Sequence, residues 1–218
     1  VFMMIKRFVS LFEGSRTVNN KGCCGISIAW SASSRQPTGE YGTVNMIRYR
    51  YKNARILFVG INPHFGSFDR GVPFSNNKMF WYLLSDAGIL TEKRNELRDD
   101  DDLRRIYKEK FNVIYGLGFV NIINRPTRDI TELKKGEELP GRRRVTRIIK
   151  TENPPVVCFI GRVAYEKYIG SKDFSFGWQE PVNSSRIFVM HFPLRGEAVV
   201  RTRELRDVMQ ATLDQNQA

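Results

Sequence analysis

The sequence predicts an α/β fold, namely a three-layer α/β/α sandwich around a short, mostly parallel, four-stranded sheet. After Met46, short apolar runs alternate with segments of helical periodicity. Such alternation is typical of a parallel sheet with helices on both faces. The 218 residues, 41% hydrophobic and 27% charged, also have the size and composition of an ordinary globular domain.

Four segments have the pattern of buried parallel strands, short and apolar with a turn signal at the end. They are residues 56–59 before Gly60, residues 119–123, residues 156–160 before Gly161, and residues 187–190 before His191. Helices are expected over residues 77–87, 142–150, from about 163, and over 201–213. Residues 61–75 are expected to be a loop, and the charge-rich residues 92–110 a solvated helix or loop.

Residues 1–45 and 46–218 differ in kind. The first stretch is rich in Ser, Thr, Asn and Gly and has no sustained hydrophobic period, apart from a possible short helix over residues 2–12. We expect a poorly ordered N-terminal extension over 1–45 and one domain over 46–218. The extension is either an addition upstream of a working protein that starts at Met46, or a genuine flexible tail.

Composition argues against several classes of protein. The three cysteines and two histidines are too few for a disulfide framework, and they make a structural metal site improbable. We therefore expect no metal and no cofactor. No apolar run approaches the roughly 18 residues of a membrane span, and residues 1–12 make a poor signal peptide. A cytoplasmic protein without a membrane partner is expected, associated with the nucleoid if the source is prokaryotic.

The charge points to a polyanionic partner. The formal net charge is +12, and residues 46–218 carry 30 basic and 21 acidic residues, hence +9. A basic excess of this size favours nucleic acid over mere solubility.

Chemically useful side chains lie in the loops that follow three of the predicted strands. These loops are residues 60–64, 121–127 and 191–196, and they contain both histidines, His64 and His191. In parallel α/β sheets ligands bind at the carboxyl ends of the strands, so the sequence predicts a site built from these loops.

Four ordered motifs resemble those of the uracil-DNA glycosylase superfamily. They are Gly60-Ile61-Asn62-Pro63 with Gly71-Val72-Pro73-Phe74 and Phe80-Trp81, then Asn124-Arg125-Pro126-Thr127, then residues 159–166, and the strand end at His191. The resemblance covers about residues 50–213. It is closest to the mismatch-specific uracil/thymine branch, although His64 replaces a usual glycine. His191 is more similar to the classical and single-strand-selective branches.

The resemblance implies roles for individual residues. Asn62 and His191 would be catalytic: the Asn62 amide would orient a water molecule, and a neutral His191 would donate to the departing base. Ile61, Phe74 and His64 would line the base pocket, with Phe74 stacking on a flipped base. Asp69 is an alternative water activator but is more typical of a surface charge.

Five further residues are implied in DNA binding. Ser67, Gly161 and Arg162 would meet phosphates, while Leu194 and Arg195 would wedge into the gap left by the flipped base. The three arginines at 142–144 either follow phosphates or form a solvated helix face.

The resemblance implies a monomeric, monofunctional glycosylase that removes uracil from double-stranded DNA, from G:U mismatches in the first instance, to start base-excision repair. No lysine occupies a matched motif position, so no Schiff-base step is implied. The alternatives are a glycosylase for hypoxanthine or a broad range of deaminated bases, and a catalytically silent DNA-binding module. A nucleotide-binding protein is disfavoured because the glycine-rich phosphate motifs are missing from the sequence.

Overall fold

The fold is described from a computed structural model, which describes residues 46–214. A five-stranded sheet forms its centre, in the order β2-β1-β3-β5-β4. The strands are β1 (Ile56–Gly60), β2 (Leu117–Asn121), β3 (Val156–Ile160), β4 (Gly177–Val182) and β5 (Ser185–Met190). All neighbours pair in parallel except β4, which is antiparallel to β5. The predicted fold class is confirmed, with one strand more than expected.

Within the described part of the chain there are six helices, of which five pack on the two faces of the sheet. The six are α1 (Phe65–Arg70), α2 (Met79–Asp86), α3 (Asp100–Glu109), α4 (Glu138–Glu152), α5 (Arg162–Ile169) and α6 (Ala198–Asp214), with a short 3-10 turn at Ile130–Glu132. Alternate residues of each strand pack against opposite layers. Phe58 and Cys158 pack with α2, α3 and α6, whereas Val59 and Phe159 pack with α4 and α5. Within residues 46–214 no helix is both long and apolar enough to cross a membrane.

The fifth strand, β4, is the main departure from the four strands expected. It lies at the sheet edge with one neighbour, and its residues are half-buried or exposed, none of them fully buried. Its sequence contains Glu180 and Pro181 and has no apolar run. The strand therefore lacks the signal of a buried strand, and Pro is tolerated there because an edge has a free side.

Helix α1 corrects the expectation that residues 61–75 form a loop throughout. The helix has six residues, and the His64 ring accepts a hydrogen bond from the Gly66 backbone N–H at its start. It ends at Gly71, which has a φ of 70°. A helix this short in a segment rich in Gly, Pro and Asn has no measurable period.

The other differences are mostly shifts of boundary. β2 starts and ends two residues before the predicted strand, and the charged segment 92–110 contains α3. Helix α4 begins at Glu138 and includes Gly141, which was expected to precede it. The possible helix over residues 2–12 lies outside the described residues.

Gly141 allows α4 to touch the backbone that follows β2. A Cβ atom at Gly141 would lie 1.6 Å from the carbonyl oxygen of Ile122. Gly141→Ala is therefore expected to lower the free energy of unfolding by about 3 kcal/mol or more, since backbone cannot yield as a side chain can. Urea denaturation measures this decrease. Lys150→Ala, on the exposed side of the same helix, should change stability by less than about 0.5 kcal/mol, and an equally mild Gly141→Ala would contradict the contact.

Candidate active site

The loops after β1, β3 and β5 meet at the carboxyl edge of the sheet, where the sequence predicted a site built from the loops after β1, β2 and β5. The Phe74 ring, which follows β1, has its centroid 6.2 Å from that of Phe192, which follows β5. Gly161, at the end of β3, lies close to the same residue, because a Cβ atom there would be only 3.3 Å from Phe192. The three loops thus form one continuous surface.

Asn62 is held by its amide nitrogen. Nδ2 donates to Thr127 Oγ1 at 2.7 Å and to the Pro63 carbonyl at 3.1 Å. The Thr127 hydroxyl donates in turn to the Asp129 carbonyl at 2.8 Å. The loop after β2 is tied to this point by a backbone bridge between His64 and Thr127.

These partners fix which way the Asn62 amide points. The Pro63 carbonyl can only accept, and the one proton of the Thr127 hydroxyl goes to Asp129, so both groups require the amide nitrogen as donor. Oδ1 of Asn62 is therefore the atom left to accept a hydrogen bond from another molecule. Thr127 was part of a sequence motif, but its role as the anchor of Asn62 was not predicted.

Phe74 has a backbone conformation that is costly for a residue with a side chain. Its φ is 55°, in the left-handed region. The preceding carbonyl, of Pro73, accepts a hydrogen bond from the buried Trp81 indole at 2.7 Å. The Phe74 ring packs against Phe80 and Phe119, with centroids 4.9 and 5.9 Å away. The conformation is therefore sustained by its surroundings, and strain of this kind is found at functional sites.

Gly60 and Asn121 make a close contact at the ends of β1 and β2. A Cβ atom at Gly60 would lie 2.3 Å from Asn121 Oδ1. The buried Asn121 amide donates to the Tyr49 hydroxyl at 3.0 Å. Burial raises the pKa of Tyr49 to about 12, although the hydrogen bond from Asn121 acts in the opposite direction. Tyr49 thus stays a neutral hydroxyl, and its contact with Asn121 was not predicted from the sequence.

His191 is held by the buried carboxylate of Glu204, a contact that was not predicted from the sequence. Nδ1 of His191 lies 2.6 Å from Glu204 Oε1, and the backbone N–H of His191 donates to Glu204 Oε2 at 3.0 Å. The ring of Phe176 stacks on the imidazole, with centroids 3.8 Å apart and planes 19° apart. Two chemically different neighbours therefore fix the position and the plane of the His191 ring.

The Glu204 contact changes what His191 is able to donate. An ionised carboxylate only accepts hydrogen bonds, so Nδ1 of His191 carries a proton. A neutral ring then has a lone pair on Nε2 and accepts there, whereas a doubly protonated ring donates from Nε2. The sequence-based expectation of a neutral histidine that donates to the base does not fit this contact. With a proton on Nδ1, a donor at Nε2 requires the doubly protonated ring.

The loop that follows His191 carries Leu194 and Arg195 at an exposed tip. The buried Arg201 guanidinium donates to the Arg195 carbonyl, and the Arg195 N–H donates to the Phe192 carbonyl at 3.0 Å. The backbone of the tip is thus fixed while its side chains face outward. The wedge role of Leu194 and Arg195 stays a prediction.

Arg162 lies next to the site but is occupied by neighbouring backbone. Its guanidinium donates to the carbonyls of Lys172 and Phe174, at 2.6 and 3.2 Å, and lies over the Phe174 ring. These contacts hold the segment that leads to Phe176, the residue stacked on His191. Arg162 is therefore connected to the imidazole indirectly.

The other predicted residues are more scattered. Ser67 is buried, and its hydroxyl oxygen accepts from the Asn76 N–H at 3.0 Å. His64 and Asp69 are exposed, and Ile61 is half-buried beside the core layer of α4 and α5.

The three consecutive arginines of α4, at 142–144, do not form one surface. Arg144 donates to the Asn121 carbonyl and to Asn124 Oδ1, at 2.6 and 2.8 Å, and Arg142 donates to the Ile169 carbonyl at 3.0 Å. Arg143 is exposed.

No group of three His, Cys, Asp or Glu side chains between residues 46 and 214 is arranged to hold a metal ion. Cys158 is buried, and burial raises the pKa of its thiol well above the usual range. It is not poised as a nucleophile.

The fold and the site together define an α/β protein with an oriented amide and a carboxylate-bound histidine at the carboxyl edge of its sheet. The family model of the uracil DNA glycosylase superfamily matches residues 47–211. The chain belongs to this superfamily, as the sequence motifs indicated. Membership identifies it as a DNA glycosylase, a hydrolase that acts on DNA in repair.

The family match begins one residue after Met46, where the patterned part of the sequence starts. A protein that starts at Met46 is therefore expected to fold and to cleave DNA at the rate of the full chain. Thermal unfolding and single-turnover cleavage of both proteins measure this. A truncated protein that is insoluble or inactive would show that the first 45 residues contribute to the working domain.

Proposed function

We propose that the protein hydrolyses the N-glycosidic bond of uracil in double-stranded DNA, from G:U mismatches in the first instance, and leaves an abasic site for base-excision repair. The observation that carries the proposal is the Asn62 amide: its nitrogen is engaged by Thr127 and Pro63, while Oδ1 accepts from no group among residues 46–214. An acceptor fixed in this way is suited to hold a nucleophilic water.

The reaction requires the target nucleotide to leave the base stack. In the proposed complex the flipped base lies against Phe74, and a water hydrogen-bonded to Asn62 Oδ1 faces C1′ of the sugar. The water oxygen bonds to C1′ while the electron pair of the glycosidic bond leaves with the base. An amide is a very poor base, so Asn62 orients the water without deprotonating it. A proton of the water passes to solvent as the bond between the water oxygen and C1′ forms.

The departing uracil becomes an anion whose charge lies partly on its carbonyl oxygens. His191, in its charged form, donates from Nε2 to one of these oxygens. Glu204 holds the ring at Nδ1, and the stacked Phe176 ring fixes its plane. Stabilising charge where it develops in the transition state is the strongest contribution such a site makes. The roles proposed for Asn62 and His191 require neither a covalent intermediate nor a lysine.

A panel of duplexes tests the proposal. Each contains uracil, thymine, hypoxanthine or xanthine opposite each of the four bases, and abasic sites are scored after alkaline cleavage. Uracil opposite guanine is expected to be cleaved fastest. Faster removal of hypoxanthine would instead establish the broader deaminated-base activity. DNA binding without any abasic site would establish a catalytically silent module and overturn the proposal.

Asn62→Ala and the wild-type protein treated with a chelator serve as controls for this panel. Cleavage is expected to survive chelation, since the proposed steps use only side chains and water.

A further inference from the structure

A basic cavity of about 370 Å³ lies between residues 46–50, the end of α1 and the second half of α3. Its lining includes five cationic side chains, from Arg48, Arg50, Arg70, Arg104 and Lys108. We call this cavity the edge pocket. None of its cationic residues belongs to the motifs that resemble the glycosylases.

Two of the five cations are neutralised by neighbouring acids. Arg70 pairs with Asp100 at 2.6 Å, and Arg104 pairs with Asp101.

The other three, Arg48, Arg50 and Lys108, have no carboxylate partner among residues 46–214. Nε of Arg50 is buried without a hydrogen-bond partner in the same part of the chain. A buried guanidinium N–H is costly to leave unpaired, so the edge pocket has the charge and the unused donors of an anion site.

The segment that lines the edge pocket reaches the carboxyl edge of the sheet. The Phe119 N–H donates to the Arg50 carbonyl at 2.7 Å, and the Tyr49 hydroxyl meets Asn121 at the end of β2. From Arg50 towards residue 46, the chain therefore runs towards the sheet edge that carries the active site. Gly71, which lines the pocket, is three residues before Phe74, so their Cα atoms are at most about 11 Å apart.

We propose that the edge pocket binds a backbone phosphate of the DNA strand that flanks the flipped nucleotide. Arg50 supplies a guanidinium fork of the kind that matches a phosphate, and Arg48 and Lys108 supply charge at the rim. Phosphate contacts fix the position of a protein on the duplex without reading its sequence. The pocket thus orients the duplex while the neighbouring loops act on one base.

The test compares two double variants that remove the same charge. Arg48→Gln/Lys108→Gln changes the edge pocket. Lys52→Gln/Lys150→Gln changes two exposed lysines that precede β1 and β3, at the opposite edge of the sheet. Affinity for an undamaged duplex is measured by fluorescence anisotropy over a range of salt concentrations. Undamaged DNA is used because this result does not depend on which base the enzyme removes.

The pocket variant is expected to bind about tenfold more weakly at low salt. Its plot of log affinity against log salt should be less steep by about 2, because each of the two removed cations no longer displaces a counterion from the DNA. The control variant should keep the slope of the wild type. If binding is weakened equally in the two variants, the effect is due to overall charge and the proposal is overturned. Unchanged binding in both variants would overturn it as well.

A second arm separates DNA phosphate from free phosphate. The melting temperature of the wild type is measured with inorganic phosphate and with chloride at equal ionic strength. If phosphate stabilises the wild type but not the pocket variant, while both bind DNA equally, the pocket is a site for a free anion and the assignment to DNA is wrong.

Discussion

Asn62→Ala is expected to lower the single-turnover rate of uracil cleavage by roughly 100-fold while the affinity for uracil-containing DNA stays close to that of the wild type. The amide holds the water only on the way to the transition state, so its removal affects the chemical step more than binding. The cleavage rate is measured with enzyme in excess over DNA. Affinity is measured with a uracil-containing duplex that the enzyme cannot cleave.

Thr127→Val is the matched control for the Asn62 prediction. It keeps the shape of the side chain and the Asn62 oxygen but removes the partner that orients the amide. Its cleavage rate is expected to lie between those of the wild type and Asn62→Ala. A wild-type rate in Asn62→Ala would contradict the proposed role and favour Asp69 or another group as the water activator.

His191→Ala is expected to lower the same rate by about 100-fold or more, because it removes the donor that faces the departing base. The decrease should be smaller for 5-fluorouracil, whose anion needs less stabilisation. Asn62→Ala should show no such rescue, because the water must be placed whichever base leaves. Equal rescue in the two variants would overturn the assignment of one residue to the water and the other to the base.

Glu204→Gln tests the charge beside His191 separately from the position of the ring. The glutamine carbonyl still accepts from Nδ1, so the ring stays in place, but the negative charge of the carboxylate is gone. Single-turnover cleavage of uracil is expected to be slower than in the wild type, because a buried carboxylate stabilises the positive charge of a ring that donates from Nε2. A rate equal to that of the wild type would show that Glu204 only positions the ring.

Much of the fold followed from local pattern, because buried parallel strands are continuous apolar runs and their ends coincide with glycines. Residues 56–60 and 156–160 show this most clearly, since burial along both strands is complete. The site loops could be placed for the same reason: if four strands are parallel, the loops that follow them share one edge. Asn62, Phe74 and His191 were selected as candidates in this way, together with the motif resemblance, and their roles stay predictions.

What the sequence did not indicate depends on contacts between distant residues. Glu204 lies in the middle of an amphipathic helix, where a carboxylate is ordinarily solvated. Only the packing of α6 against β5 brings it to His191, 13 residues away. Phe176 precedes an edge strand that has no apolar run. The one signal in the sequence for Glu204 was an acidic residue on the apolar face of the last helix. This signal does not indicate which residue the carboxylate contacts.

The chain of hydrogen bonds from Asn62 through Thr127 to Asp129 links substitutions at two positions. Aspartate at 62 would be a stronger base, but its second oxygen would replace the Nδ2 donor and face the Pro63 carbonyl and the Thr127 hydroxyl oxygen. Thr127 can turn its proton towards the new carboxylate only by leaving the Asp129 carbonyl without it, at a cost of about 1–3 kcal/mol if that carbonyl finds no other donor. An exchange of amide for carboxylate at 62 would therefore need a compensating donor at 127, and variation at the two positions in other members of the superfamily should be correlated.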